Sequence, residues 1–401
     1  MDFELNDEQR MLQEGAARYL EKQYDFKHRL ELGRTGGGFS RETWSAFTEM
    51  GWLAASVPEA HGGLGFGPIE VAVIAEQLGR NLVLEPFTSC GVLPVAVIEK
   101  LGTSAQSDAW LPAIASGEQI FAVAHSEPEA RGDVAHVSCK AERSLGQWKL
   151  TGRKSLVVGA PIADRLLVVA RTGGETNSPD GLSIFALAPA ATGVQLQAYS
   201  LADGTPAADL TLEGVRVEND AVLGEPGAAA AGLQHAIDEA IVAQCAETVG
   251  GIEDVLALCS EYLKTRKQFG VPIGSFQALQ HRMADMAIEA TQARASLHRG
   301  LQSLTQGPAE RRSIDVSGVK AQVGRSARFV TQQGIQLHGG YGITEEYRVG
   351  HHWRRLLLAD SVFGSPSFHL ARYARRIQQE ALDVSRSPKN ATESSQAIAS
   401  R

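Results

Sequence analysis

At 401 residues the chain is longer than one hydrophobic core usually serves, so two or three domains are expected. Its 46 acidic and 38 basic residues leave a net charge of −8, which argues against a nucleic-acid partner, because phosphate-backbone binders carry a basic stripe. Met1–Arg10 has no apolar core for a signal peptide, and no run of about 18 apolar residues offers a membrane span. A cytoplasmic protein with no membrane partner is expected.

Residues Phe3 to about Glu118 carry helical periodicity. Asn6-Asp7 caps a helix whose apolar face is Met11, Leu12, Ala16 and Leu20, and Ser40 with Glu42 starts another. Val57–Gly67 is too glycine-rich for a helix or a strand, and Pro68 opens the helix that follows to Arg80. No strand precedes that loop and its spacing is not GxGxxG, so it is not read as a phosphate cradle. From Ile120 the period becomes alternating, in seven short segments with turn signals and no intervening helix, which predicts a compact antiparallel barrel or sandwich ending near Gly224. Helical period returns over about 228–264, 275–305, 309–337 and 367–382, lengths that suit a four-helix bundle. The prediction is therefore an α+β multidomain chain. It comprises an N-terminal all-α domain (1–118), a central antiparallel β-barrel domain (119–224), a C-terminal four-helix bundle (225–385) and a disordered tail (386–401). Cys90, Cys139, Cys245 and Cys259 are scattered without a CxxC pair, so buried thiols are expected in place of disulfides or a metal site. The adjacent histidines His351 and His352 point different ways on a helix and are not read as metal ligands.

The stretch Tyr262–Met286 reads as a helix end, a tight connection broken by Gly270, Pro272 and Gly274, and a new helix capped by Ser275 with a face of Phe276, Leu279, Met283 and Met286. A basic corner followed by Gln268, Phe269 and Gln277 suits an anionic, aromatic ligand, and an ordinary helical hairpin with a solvated turn has the same spacing.

Arg-Lys-Gln-Phe-Gly at 266–270, a Phe-Gln-x-x-Gln helix, Met-Ala-Asp-Met, the middle Ser-Glu-Pro and the later Gln-Leu-His-Gly-Gly together resemble the acyl-CoA dehydrogenase family of flavoproteins over most of the chain. More narrowly they resemble subunits of heteromeric members, the small subunit of the pimeloyl-CoA type among them. The resemblance implies FAD between the middle and C-terminal domains with a neighbouring subunit completing the site. Arg266 would meet the pyrophosphate of the adjoining subunit's FAD, Gln268 and Phe269 would lie beside the adenosine half, and Gln277 would line that end. Gln336, Gly339 and Gly340 form the second half of the cofactor signature, although a lone Gly-Gly is also a plain helix C-cap. Ser126 keeps the hydroxyl placed against the flavin ring.

Four positions depart from the family pattern. Gly132 replaces a serine, and Leu156 and Val158 stand where the family has a tryptophan over the isoalloxazine and a threonine near its N5. Either aliphatic groups pack the ring, or this copy of the site no longer holds a working flavin. The base departs most. Removing the α-proton of an acyl thioester calls for a carboxylate, and Phe363, in Asp360–Ser365, occupies the position of the usual Glu. A second family solution places the Glu on the first bundle helix, at Ala240 here. Asp238 and Glu239 precede it, and a one-residue offset turns a helix position by about 100°, so Glu239 qualifies only in a shifted register. The expectation is a FAD-dependent acyl-CoA dehydrogenase subunit forming a trans-2-enoyl-CoA, re-oxidised by an electron-transfer flavoprotein. It would work in a heterotetramer with a homologous larger subunit, or as a homotetramer. Two rivals stand beside it: a flavoenzyme of the same fold with desulfinase or monooxygenase chemistry, and a subunit without turnover of its own.

Overall fold

The computed structural model describes residues 4–35 and 37–386, so the tail expected after residue 386 lies outside the described residues. The first 118 residues form helices α1 (Asp7–Gln23), α2 (Phe26–Thr35), α3 (Arg41–Glu49), α4 (Pro68–Arg80), α5 (Leu93–Leu101) and α6 (Ser104–Ala115). Asn6 caps α1 by accepting the Gln9 amide while the Gln9 side chain accepts the Asn6 N–H, and Ser40 caps α3 through the Thr43 amide. Ala16 and Leu20 are buried, but Met11, expected on the same face, is 73% exposed because the stripe turns outward over the first turns.

Next come strands β1 (Phe121–Ala124), β2 (Lys140–Ser144), β3 (Gln147–Val158), β4 (Arg165–Arg171), β5 (Leu182–Leu187), β6 (Val194–Ser200) and β7 (Pro206–Val217). The antiparallel barrel needs correction: the sheet is mixed, ordered β1-β4-β2-β3-β7-β6 with β5 on β4, and β1 runs parallel to β4 from Phe121↔Arg165 to Ala124↔Val168. The cause is local. Residues 134–139, the first part of a segment that reads as strand, belong instead to the loop 125–139, so β1 has no hairpin partner and its sheet neighbour comes from later in the chain.

The C-terminal part contains α7 (Ala230–Thr265), a two-residue ribbon β8 (Lys267–Gln268) and β9 (Val271–Pro272), then α8 (Gln277–Thr305), α9 (Ala309–His338), α10 (Arg348–Ala359) and α11 (Pro366–Arg386). α7, α8 and α9 pack on one another. The short α10, absent from the four expected segments, lies between α7 and α9, while α11 lies against α9. Ser275 is not the cap of α8, because its hydroxyl donates to the Pro272 carbonyl at 2.8 Å within the turn and the helix starts at Gln277. The four cysteines are free and buried.

Glu85, between α4 and α5, is a buried carboxyl whose Oε1 accepts the Ser40 amide at 3.2 Å and whose Oε2 has no partner among the described residues. Burial pushes its pKa from 4.5 up to about 7. Since the folded value is the higher one, the folded chain holds a proton that the unfolded chain has lost between these limits, and stability falls as pH rises from 4.5 through 7. At roughly 1.4 kcal/mol per unit the loss is on the order of 3 kcal/mol. Glu85→Gln is expected to flatten that part of the pH–stability curve, measured by urea unfolding at pH 5 and pH 8. Parallel curves for the two proteins would contradict the assignment.

Candidate functional site

Two separate groups of residues face outward where ligand chemistry is possible. The first is a cleft of about 390 Å³ between the loop after β1, the bend at the end of β3 and the turn between α10 and α11. Its walls include His125, Ser126, Gly132, Leu156, Ile237, Val362 and Phe363. Its floor rests on a buried ion pair. Lys154 Nζ lies 2.7 Å from Glu127 Oε1, with 0% and 1% of the side chains exposed, and Glu127 also accepts the amides of Ser138 and Cys139. Burial works against the Glu127 charge, but Lys154 and Ser138 outweigh it and hold the carboxyl below its ordinary pKa. Leu156 takes a positive φ of 54°, and its amide donates to Asp209 Oδ1 at 3.0 Å. Phe363, φ 62°, is buried and stacks on His125 with ring centroids 5.7 Å apart and planes 14° from parallel. Burial, helped by the Lys154 charge, lowers the His125 pKa to about 4, so its imidazole is neutral at pH 7.

Behind Val362 lies a smaller cavity of about 60 Å³, lined by apolar groups such as Val158, Leu201, Leu356 and Leu358 and edged by a charged knot. Arg355 of α10 reaches Asp203 Oδ2 at 2.9 Å, the Thr205 hydroxyl at 3.0 Å and Glu247 Oε2 at 3.2 Å. The Thr88 hydroxyl donates to Glu247 Oε1 at 2.5 Å, and Arg29 of α2 donates to the Asp203 carbonyl at 2.7 Å. Burial disfavours the Arg355 charge, yet Asp203 and Glu247 more than restore it and raise its pKa above the ordinary arginine value. No motif in the sequence marks Arg355. The available signal was spacing, since Arg355 falls three and four residues after His352 and His351, both buried. His125 was missed because a single histidine beside a Ser-Glu-Pro run has no spacing to mark it.

The carboxylates put forward as bases sit elsewhere. Asp238 is buried in the bundle, where Ser313 donates to Oδ2 at 2.5 Å and Gln234 to Oδ1 at 2.8 Å. Glu239 lines a different cleft, of about 600 Å³, beside the glycine-rich loop, bound to Lys100 at 2.8 Å and His235 at 3.2 Å. Their neighbour Ile237 is the α7 residue that lines the first cleft, and Ala240 is buried.

The second group is at the far end of α7, α8 and α9. The ribbon between α7 and α8 is exposed. Arg266, Gln268 and Gln277 face solvent, and Phe269 is 93% exposed with a positive φ of 53°. Arg266 makes no ion pair among the described residues. Tyr262, one turn before it, packs on His338 at 4.4 Å and stacks near Tyr341 at 6.2 Å, which brings the end of α9 beside the ribbon. Arg282 donates to Gln333 at 2.5 Å and ties α8 to the same end. Gln336 is exposed there and its carbonyl accepts the amide of Gly339. Gly339 turns the chain at φ 60°, ψ −139°, and nothing lies within 4 Å of a Cβ built at Gly339 or Gly340, which leaves bare peptide open to a ligand. Ser126 is absent from this group and stands in the first cleft.

Family profiles for the acyl-CoA dehydrogenase N-terminal, middle and C-terminal domains match residues 6–118, 122–215 and 232–378. The chain belongs to the acyl-CoA dehydrogenase family. Members of this family are oxidoreductases that act on acyl-CoA. The chain is 29% identical over 353 residues to mitochondrial isovaleryl-CoA dehydrogenase of Solanum tuberosum, covering 86% of this chain and 84% of that protein. It superposes on a chain of the ChsE4-ChsE5 complex of Mycobacterium tuberculosis with a TM-score of 0.85 at 26% identity, covering 94% of this chain and 99% of that one. A chain from the structure of the electron transferring flavoprotein of Acidaminococcus fermentans gives 0.86 at 26% identity, with the same coverage. This is the three-domain acyl-CoA dehydrogenase fold, with helices, a curled mixed sheet and a helical C-terminal domain. No helix among the described residues is long and apolar enough to cross a membrane, and no group of three or more His, Cys, Asp or Glu among them is placed to hold a metal ion.

Removing one side of the Arg355 knot leaves two buried carboxylates uncompensated. Arg355→Met is expected to cost roughly 3–5 kcal/mol of stability, read as a lowered urea midpoint, and adding Glu247→Gln is expected to recover part of the loss. An unchanged midpoint for Arg355→Met would show that the knot does not hold the layers together.

Proposed function

We propose that this chain is a FAD-binding subunit of an acyl-CoA dehydrogenase that desaturates an acyl-CoA thioester between Cα and Cβ, acting in a heteromer with a homologous larger chain. The observation that carries the proposal is the convergence of Arg266, Gln277, Gln336, Gly339 and Gly340 at one solvent-facing end of three helices, away from the chain's own cleft. The donor set fits the cofactor. An unpaired guanidinium can hold two phosphate oxygens with its planar fork, the bare Gly339-Gly340 peptide admits a diphosphate closely, and the exposed Phe269 ring offers a flat face to an adenine. Gln268, Gln277 and Gln336 supply amides at the same end. Ser126, in the lining of the chain's own cleft, would offer its hydroxyl to the ring edge of a second cofactor. When bound, FAD supplies the acceptor for the hydride leaving the substrate.

No carboxylate stands in this cleft at the position of the family's usual base: of the two that line it, Glu127 is committed to Lys154 and Asp133 accepts the Ala135 amide. Phe363 cannot take a proton, and neither Glu239 nor Asp238 lines that cleft. The α-proton must then go to a carboxylate of the partner, at the site that Arg266 and the glycine turn complete. Similarity to a chain of the ChsE4-ChsE5 complex favours a heterotetramer, and similarity to a chain solved with an electron transferring flavoprotein favours such a protein as electron acceptor. Fatty, dicarboxylyl and steroid-derived acyl groups remain the candidate substrates.

A charged hydrogen bond of about 1.5–3 kcal/mol sets the test. Arg266→Ala in the purified assembly is expected to weaken FAD retention roughly 10- to 100-fold, measured as 450 nm absorbance per chain after dialysis, with Arg266→Lys in between. Retention equal to the unsubstituted protein would overturn the proposed role of this end.

A further inference from the structure

Arg266 follows α7 and the Gly339-Gly340 peptide follows α9, so the spacing of these two halves of the solvent-facing end is set by what packs between the helix ends. Four rings are packed there. His338, the last residue of α9 and 3% exposed, lies against Tyr262 at 4.4 Å and Tyr347 at 4.9 Å, and Tyr341 lies against Tyr347 at 4.3 Å. The Tyr262 carbonyl accepts the Arg266 amide at 2.8 Å, so the ring that touches His338 belongs to the turn from which Arg266 emerges. On the other side the chain folds straight back over the imidazole: a Cβ on Gly342 would lie 3.0 Å from His338 Cβ.

The hydrogen bonds of His338 run in one direction. Nδ1 lies 2.8 Å from the Gly334 carbonyl, with the Cys259 thiol at 3.9 Å beside it, and Nε2 lies 3.0 Å from the Tyr347 hydroxyl. A carbonyl oxygen only accepts, so Nδ1 carries the proton. Burial lowers the His338 pKa, which leaves the ring neutral at pH 7 with a lone pair on Nε2. Burial also pushes the Tyr347 hydroxyl up to about 12, so it keeps its proton and donates. Stacking by itself tolerates sliding of one ring over another, whereas hydrogen bonds at two edges of the imidazole fix its plane.

We propose that His338 is a positioning residue for the cofactor that this end completes. Held between Tyr347 and Gly334, its imidazole keeps the end of α7 and the peptide after α9 at the separation that lets Arg266 and Gly339-Gly340 grip one diphosphate. Being buried, it acts through those groups and not on the ligand. The inference rests on the function proposed above and adds the His338–Tyr347 pair to it as the device that sets the grip.

The test uses the full chain purified with its companion, stripped of flavin and titrated with FAD. Tyr347→Phe removes one oxygen and leaves the rings in place. It is expected to raise the FAD dissociation constant roughly 5-fold, the worth of one neutral hydrogen bond. His338→Phe is expected to lose at least as much, and the double variant no more than His338→Phe alone, because the two act through one bond. His338→Gln, whose amide oxygen can accept from Tyr347, is expected to recover part of the loss. ADP, which carries the diphosphate and adenosine without the flavin ring, is expected to compete more weakly by the same factor as FAD. FAD affinity unchanged by Tyr347→Phe, losses that add in the double variant, no recovery in His338→Gln, or FAD weakened with ADP unmoved would each overturn the inference. Tyr347→Phe is mild enough to decide the matter even if the His338 variants misfold. If Arg266→Ala also leaves FAD affinity unchanged, the proposed function fails instead, so the two failures are told apart.

Discussion

One buried guanidinium joins all three layers of the molecule beside the cleft. Arg355 in α10 joins Asp203 of the loop between β6 and β7 to Glu247 of α7, while Arg29 of α2 reaches the same loop through the Asp203 carbonyl. One knot therefore connects the N-terminal helices, the sheet and the C-terminal helices. Charge buried this deeply is an expensive way to gain stability, since apolar side chains of equal volume commonly do as well. It does fix orientation. A guanidinium held by two carboxylates and a hydroxyl has one geometry, and α10 is anchored by it eight residues before Phe363. The position of the α10–α11 turn against β1 and β3, and with it the depth of the cleft, follows from that anchor.

The second constraint is that the outward-facing groups lie far along the same helices. A 93% exposed phenylalanine at positive φ whose ring meets only the edge of Phe276, an arginine with no acidic partner among the described residues and two glycines with open space beside them cost the chain exposed apolar surface and backbone strain. Groups left in this state make sense if a ligand held by another chain completes them. The contrast with the cleft supports a division of labour. His125 and Phe363 stack on each other in the wall of the cleft, whereas Arg266, Gln277 and Gln336 at the far end face solvent.

Much of this was legible in sequence, for reasons that differ by element. The long helices α7, α8, α9 and α11 announce themselves by periodicity, and Asn6, Ser40 and Pro68 mark helix starts through local chemistry that tertiary contacts do not override. Strand pairing was less accessible: β1 and β4 are joined across more than forty residues, and alternation from residue 134 could not reveal that the amides of Ser138 and Cys139 serve Glu127 instead of a ladder. Ser275 shows how a competing local hydrogen bond, to Pro272, displaces a cap. In the candidate site, motif spacing located the Arg266 end and the absence of a carboxylate at 363. It did not locate the stack of His125 on Phe363 or the Arg355 knot, because both arise between segments distant in the chain. It also could not show that Glu239 is committed to Lys100 and His235 in another cleft.

The central claim is that this chain holds part of a cofactor site but lacks the base. Expressing it alone and together with a homologous chain that retains the glutamate, then recording flavin content and turnover of acyl-CoA with a ferricenium acceptor, tests that claim most directly. Little or no turnover is expected from the chain alone, and a yellow, active assembly from the pair. A yellow and fully active preparation of the single chain would contradict it.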